Sequence, residues 1–239
     1  MILLQDVSVR FGGLVALDAI SAQFTAPVSG IIGPNGAGKT TTMNVISGFL
    51  TPKTGRVMVG DTDLLTLAPH QRARWGLRRS FQREQIADDL TVADNLRAIA
   101  DTSPLSSRER RADVARALEF AGIAAIAGKL GADLNSYERR LTDVARCVTG
   151  QPKVIMFDEP AGGLTVEESA QLGQLIQSIQ SFCGASVLVI DHDVDLITRI
   201  CDETLVLDFG RRIAFGPTRA VLDDPAVKAA YLGTKVDHA

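Results

Sequence analysis

Between positions 33 and 40 the chain reads Gly33-Pro34-Asn35-Gly36-Ala37-Gly38-Lys39-Thr40, a fit to the pattern G-x-x-x-x-G-K-[ST]. Few short stretches restrict a fold as tightly, because this one works only between a buried strand and a helix. Its glycines let the backbone wrap until several N–H groups converge on phosphate oxygens, and the positive end of the following helix adds favourable electrostatics. The flanks agree: Gly30-Ile31-Ile32 is a short apolar run suited to a buried strand, and Thr42 to Ile46 continues as a helix. On this pattern the chain binds a nucleoside triphosphate. Lys39 reaches its β- and γ-phosphates, Thr40 offers a hydroxyl to Mg²⁺, and Thr41 adds a phosphate contact.

The bulk of the sequence sets limits around that loop. With 239 residues, 46% of them hydrophobic, the chain has ample material for a core without covalent staples. Cys147, Cys183 and Cys201 are far apart and lack metal-ligand spacing, so packed, reduced thiols are expected and no zinc site. A formal charge of −3 gives no global basic field for nucleic acid or an anionic membrane surface. Met1 to Asp6 lacks the charged-then-apolar pattern of an export signal, and no apolar run approaches the roughly 18 residues that span a bilayer. A soluble chain is expected.

Hydrophobic periodicity divides the chain into three. Leu3 to Arg10 and Ile20 to Phe24 read as antiparallel strands around Phe11-Gly12-Gly13, and Arg56 to Val59, after a turn at Thr51 to Gly55, joins them. From about Asp88 to Gly150 helical signals take over. Thr91 caps a helix through Ala100, Ser106 with Glu109 makes a capping box for a helix ending near Gly122, and Leu141, Val144, Ala145 and Val148 share one face of a helix starting near Tyr137. Arg108, Arg110, Arg111 and Arg116 give this stretch a basic face, best read as solvated helix surface. Past Pro152 strands and helices alternate: Val154 to Phe157 and Ser186 to Ile190 flank a helix begun by Thr165 and Glu168 and carrying Leu172, Leu175, Ile176 and Ile179. Thr204 to Leu207 and Ile213 to Phe215 surround a turn at Phe209 to Arg212, and a short helical tail ends at Tyr231-Leu232-Gly233. Such alternation implies an α/β fold with a parallel sheet. The expected organisation is a nucleotide-binding core at 1–85 and 151–222 with an N-terminal antiparallel β-sheet, a helical subdomain at 86–150, and a helical tail at 223–239.

Further chemistry gathers at strand ends. Val154-Ile155-Met156-Phe157-Asp158-Glu159 puts two carboxylates at the C-terminal end of a buried strand, where ligands sit in an open α/β sheet. Asp158 suits Mg²⁺, and Glu159 suits orienting or deprotonating the water that attacks the γ-phosphate. Val187 to Ile190 leads to Asp191-His192, whose imidazole is placed to bond the γ-phosphate and sense its loss. Gln82, after Arg78-Arg79-Ser80-Phe81, carries an amide that would reach Mg²⁺ or the attacking water. Phe11, just upstream of the loop, would either stack on an adenine ring or pack in the sheet.

Together these stretches resemble the nucleotide-binding subunit of an ABC transporter over essentially the whole chain. Gly33 to Thr41 matches the Walker A loop, Gln82 the Q-loop, Val154 to Glu159 the Walker B strand with its catalytic glutamate, His192 the switch histidine and Phe11 the adenine-stacking aromatic. Phe11 to Leu17, Arg79 to Gln82, Leu90-Thr91-Val92 with Asn95-Leu96, and Asp224-Pro225 to Gly233 look like the branched-chain amino-acid importer subfamily, a pattern shared by lipopolysaccharide-export and urea-import ATPases. The resemblance implies the ABC ATPase fold, ATP and Mg²⁺ as cofactors, and hydrolysis to ADP and phosphate. It also implies transmembrane permease subunits and a second ATPase subunit as partners, a substrate-binding protein indirectly, and a peripheral place on the cytoplasmic face of the inner membrane.

Two departures fall on the surface offered to the second ATPase. Where the family reads LSGGQ or LSYGE, this chain reads Leu134-Asn135-Ser136-Tyr137-Glu138, and Gly162-Gly163-Leu164-Thr165 stands where the D-loop ends in Asp or Asn. The signature serine and glycines present a hydroxyl and backbone N–H groups to ATP held by the partner, so the change favours a heterodimer over a homodimer. A weakly hydrolysing binding subunit is the competing reading. A nucleic-acid-acting relative would need a second cassette or a long coiled-coil insert, and a GTPase an Asn-Lys-x-Asp motif, and the sequence has neither.

Overall fold

The structure, a computed structural model, describes residues 1–232; Gly233 and the rest of the tail lie outside the described residues. In chain order the elements begin with β1 (Ile2–Phe11), β2 (Leu14–Phe24), β3 (Val28–Ile32), α1 (Lys39–Ser47), β4 (Thr54–Val59) and β5 (Thr62–Asp63). They continue with α2 (Pro69–Trp75), β6 (Leu77–Arg79), α3 (Val92–Ala100), α4 (Ser107–Phe120), α5 (Ser136–Val148), β7 (Val154–Asp158) and α6 (Val166–Cys183). The last are β8 (Ser186–Ile190), α7 (Val194–Ile200), β9 (Glu203–Asp208), β10 (Arg211–Pro217), α8 (Thr218–Asp223) and α9 (Pro225–Val227). The described residues fall into two compact units, residues 1–72 with 188–232, and residues 73–187.

The first unit holds two sheets. The antiparallel one runs β2-β1-β4-β5. In β1 the buried residues Ile2 and Leu4 change phase to Val7 and Val9, a slip absorbed at Asp6, which takes φ +50 where the register shifts. In the other, β3 pairs in parallel with β9, which pairs antiparallel with β10. All five residues of β3 are buried, the pattern of a strand covered on both faces.

The second unit pairs β6 with β7 in parallel, Arg79 opposite Met156, and β7 is again buried throughout. Its helices start where side chains satisfy the first N–H groups. Thr91 accepts from Asp94, and Ser106 and Thr165 each complete a capping box, with Glu109 and Glu168. The basic face of α4 is partly tied down: Arg110 pairs with Asp101, and Arg116 lies 5.0 Å over the ring of Phe182, which stacks on Phe120 at 4.2 Å.

Several local expectations shift. Thr54 and Gly55 belong to β4 rather than to the preceding turn, and β10 begins at Arg211 because the hairpin closes on Phe209-Gly210 alone, at φ +43 and +74. Two positive φ values make the primed two-residue turn that matches strand twist. The short elements α2, β5, β6 and α7 have too few residues to show a period in sequence. Cys147 and Cys201 are buried and Cys183 half-buried, all three unbridged.

Asp143 on α5 is 3% exposed, with Arg146 at 3.3 Å; Arg140 of the same helix pairs with Glu84 at 3.0 Å. Burial pushes its carboxyl up to about 6, against the pull of Arg146 and Arg140 and with Glu84 adding to the rise. Between the ordinary carboxylate value of about 4 and that value, the native chain binds more protons than the unfolded one. Asp143 therefore makes stability fall as pH rises through this window. Asp143→Asn is expected to flatten that part of a Tm-versus-pH profile, and an unchanged profile would show that the carboxyl titrates normally.

Candidate functional site

In the first unit the loop of residues 33–40 leaves the C-terminal end of β3 and enters α1 through Gly38, at φ +104. Lys39 is 7% exposed, and its ammonium donates to the carbonyls of Gly33 at 2.7 Å and Pro34 at 3.0 Å. Ala37 N–H bonds Pro34 O, and the Thr42 N–H and hydroxyl both bond Gly38 O. A second brace comes from the β9–β10 turn: Gly210 N–H donates to Ala37 O at 3.1 Å, and Gly210 O accepts from Asp18 N–H on β2. Thr40 is exposed and Thr41 half-buried on the first turn of α1. Asn35 and Gly36 are exposed at the tip.

Phe11 ends β1, paired with Leu14 of β2 and with 51% of its surface exposed. His192 follows β8 on a sharp turn: Asp191 is buried and its Oδ1 accepts from Asp193 N–H, while Asp193 caps α7 through Asp195 and Leu196. The imidazole is two-thirds exposed, its Nδ1 3.6 Å from Asp191 Oδ1.

In the second unit the structure brings Gln82, Asp158 and Glu159 together. Gln82 Nε2 donates to Glu159 Oε2 at 2.9 Å. Glu159 takes φ +51, a left-handed conformation unusual for a residue with a long side chain and worth about 1–3 kcal/mol of strain. Asp158 is buried, pairs with Arg79 at 3.2 Å, and donates its backbone N–H to Ser80 Oγ. Arg79 and Ser80 carry no signal as site residues in the sequence, where they read as the flank of Gln82 and as part of a subfamily pattern.

The altered signature keeps its helix start. Asn135 is the cap of α5: its Oδ1 accepts from Glu138 N–H at 2.8 Å, and Glu138 accepts from Asn135 N–H and from Lys129. Tyr137 turns its hydroxyl to Gln171 on α6 at 2.9 Å, and burial followed by the charge of Glu168 raises its pKa. Thr165, in the D-loop acid's place, is spent on capping α6. Among the described residues no group of three or more His, Cys, Asp or Glu is arranged to hold a metal ion, and no helix is long and apolar enough to cross a membrane.

Residues 21–162 match the ABC transporter family. The chain is 32% identical over 240 residues to the high-affinity branched-chain amino acid transport ATP-binding protein LivG of Escherichia coli K12, covering 94% of each. It is 34% identical over 209 residues to the lipopolysaccharide export system ATP-binding protein LptB of Acidithiobacillus ferridurans, covering 87% of this chain and 86% of that one. The crystal structure of the ADP conformation of MJ1267, an ATP-binding cassette of an ABC transporter, superposes with a TM-score of 0.86 at 27% identity over 98% of both chains.

Two loop glycines separate backbone freedom from crowding. At Gly33, φ +153, a Cβ would lie 2.1 Å from Leu207 O, whereas at Gly36, φ +79, it would meet nothing within 4 Å. Gly36→Ala is expected to cost about 1–2 kcal/mol for the left-handed backbone alone. Gly33→Ala should cost at least twice that, because a backbone carbonyl must move. Thermal unfolding of both variants checks this, and equal losses in Tm would contradict it.

Proposed function

The chain belongs to the ABC transporter family, and we propose that it is the ATP-binding and ATP-hydrolysing subunit of such a transporter. The observation that carries this reading is the phosphate loop at the end of parallel strand β3, with Lys39 buried at the start of α1. The loop offers the backbone N–H groups of its non-proline residues to the phosphates, Lys39 exchanges its loop carbonyls for β- and γ-phosphate oxygens, and Phe11 stacks on the base. Glu159 orients and deprotonates the attacking water, Gln82 holds that carboxylate meanwhile, and His192 bonds the γ-phosphate; the products are ADP and phosphate.

Mg²⁺ suits the donor set, since the hydroxyl of Thr40, the carboxylate of Asp158 and the amide oxygen of Gln82 are hard oxygen ligands too few to bind without phosphate and water. When bound, it would offset charge developing on the phosphates. The reading divides the chain into a core at 1–85 and 151–222, a helical subdomain at 86–150 that carries the signature, and a tail from 223.

Membership in the ABC transporter family supports work on membrane-spanning permease subunits, and we infer that the chain attaches to them from the cytoplasmic face of the inner membrane. Its likeness to LivG supports import of branched-chain amino acids or related small polar solutes, delivered by a substrate-binding protein. Its likeness to LptB supports lipopolysaccharide export as the second reading. Uptake of labelled leucine into vesicles bearing the whole complex separates the two.

Lys39→Ala is expected to abolish productive ATP binding, whereas Glu159→Gln keeps binding and loses most hydrolysis, because the lysine acts on ground-state phosphate and the glutamate on the transition state. Nucleotide titration beside phosphate release checks both. Wild-type hydrolysis by Glu159→Gln would remove Glu159 as the base.

The partner ATPase is a different subunit. In a head-to-tail pair each ATP lies between one loop and the other subunit's signature, and Asn135-Ser136-Tyr137 withholds a serine hydroxyl and close glycine N–H groups. Such charge-assisted contacts are worth roughly 1.5–3 kcal/mol each, so losing two slows one site at least tens-fold. Asn135→Ser with Ser136→Gly and Tyr137→Gly should accelerate the ATPase of the isolated protein accordingly. A wild-type homodimer already as fast as this variant would contradict the heterodimer.

A further inference from the structure

Residues 79–82 grip the end of β7 at consecutive points. Arg79 pairs with Asp158 at 3.2 Å with both side chains nearly buried, at 5% and 10% exposure. Ser80 N–H donates to Met156 O at 2.8 Å, its hydroxyl accepts from Asp158 N–H at 3.2 Å, and Gln82 bonds Glu159. Phe81 places its ring under the Arg79 guanidinium, 4.8 Å from centroid to carbon. The carboxylate assigned to a divalent cation is thus held by a cation of the chain itself.

We propose that Arg79 is a positioning residue that occupies Asp158 in competition with the divalent cation, so that metal arriving with nucleotide displaces it. The inference rests on the assignment of Asp158 to Mg²⁺. A buried carboxylate without a counter-charge is costly, and Arg79 supplies that charge when no metal does. A guanidinium and a divalent ion drawn to one carboxylate repel each other, and each weakens the hold of the other on it. Displacing Arg79 loosens the residue three places before Gln82, whose amide holds Glu159, which couples metal occupancy at Asp158 to restraint of the base. The coupling is reciprocal, because whatever pulls residues 79–82 away from β7 frees Asp158 for metal.

The test uses Mn²⁺ in place of Mg²⁺, with free Mn²⁺ read by electron paramagnetic resonance in the full-length protein saturated with ADP, so that no turnover enters. Arg79→Gln is expected to tighten Mn²⁺ binding at least tenfold while ADP affinity without metal stays within twofold of wild type. A role confined to structure would leave metal affinity unchanged or weaken it, and either result overturns the proposal. Should Arg79→Gln fail to fold, Arg79→Lys carries the test: its ammonium lacks the fork that grips a carboxylate, so Mn²⁺ binding tightens at least threefold, and an unchanged affinity overturns the proposal. Asp158→Asn separates this inference from the assignment beneath it. If that variant does not weaken Mn²⁺ binding, the assignment of Asp158 falls and the inference with it. If it weakens binding while Arg79→Gln fails to tighten it, only the inference falls.

Discussion

The Lys39 ammonium closes the phosphate loop on itself, and the rest of the first unit serves that contact. A buried ammonium needs acceptors, and Gly33 O and Pro34 O are within reach only because the backbone turns back at Gly36 and Gly38 with positive φ. Gly33 lies against Leu207 of β9, and Ala37 is held by Gly210 of the turn after it. Strand β9 is therefore both the parallel neighbour of β3 and the wall that sets the loop's shape. The loop's fold is thus set by contacts within the chain, and Lys39 has loop carbonyls to give up when phosphate binds.

The second unit solves a different problem, that of two adjacent carboxylates at one strand end. Consecutive residues of a strand point to opposite faces, and the left-handed turn at Glu159 takes that residue out of the alternation. Asp158 stays inside with Arg79, while Glu159 faces outward to Gln82. Their environments differ accordingly, one an ion pair out of water and the other a hydrogen bond near the surface. Such a difference suits a pair in which one group binds a cation and the other moves a proton.

Sequence made the long periodic elements legible, together with three capped helix starts: Thr91, Ser106 and Thr165 stand where their spacing places them, whereas the caps Asn135 and Asp193 become evident only in the structure. It also located the phosphate loop and the strand ends. Short elements stayed hidden because seven residues of α2 or three of β6 carry too little period to stand out. The Arg79–Asp158 pair stayed hidden for another reason. An arginine 79 positions before an aspartate has no local mark, and only the parallel pairing of β6 with β7 brings them together. At the signature the letters overstate the change, since Asn135 takes over the capping bond that a serine would make, whereas the hydroxyl of Tyr137 is committed to α6. A one-dimensional pattern records which residue is replaced, not which of its bonds survives.

Hydrogen–deuterium exchange of the amides of residues 33–41 tests the phosphate cradle most directly, because the N–H groups said to hold phosphate are the ones observed. The account predicts strong protection of this stretch by ATP and by ADP and almost none by AMP, which lacks the phosphates that Lys39 and the loop engage. Equal protection by AMP, or none by ATP, would contradict it.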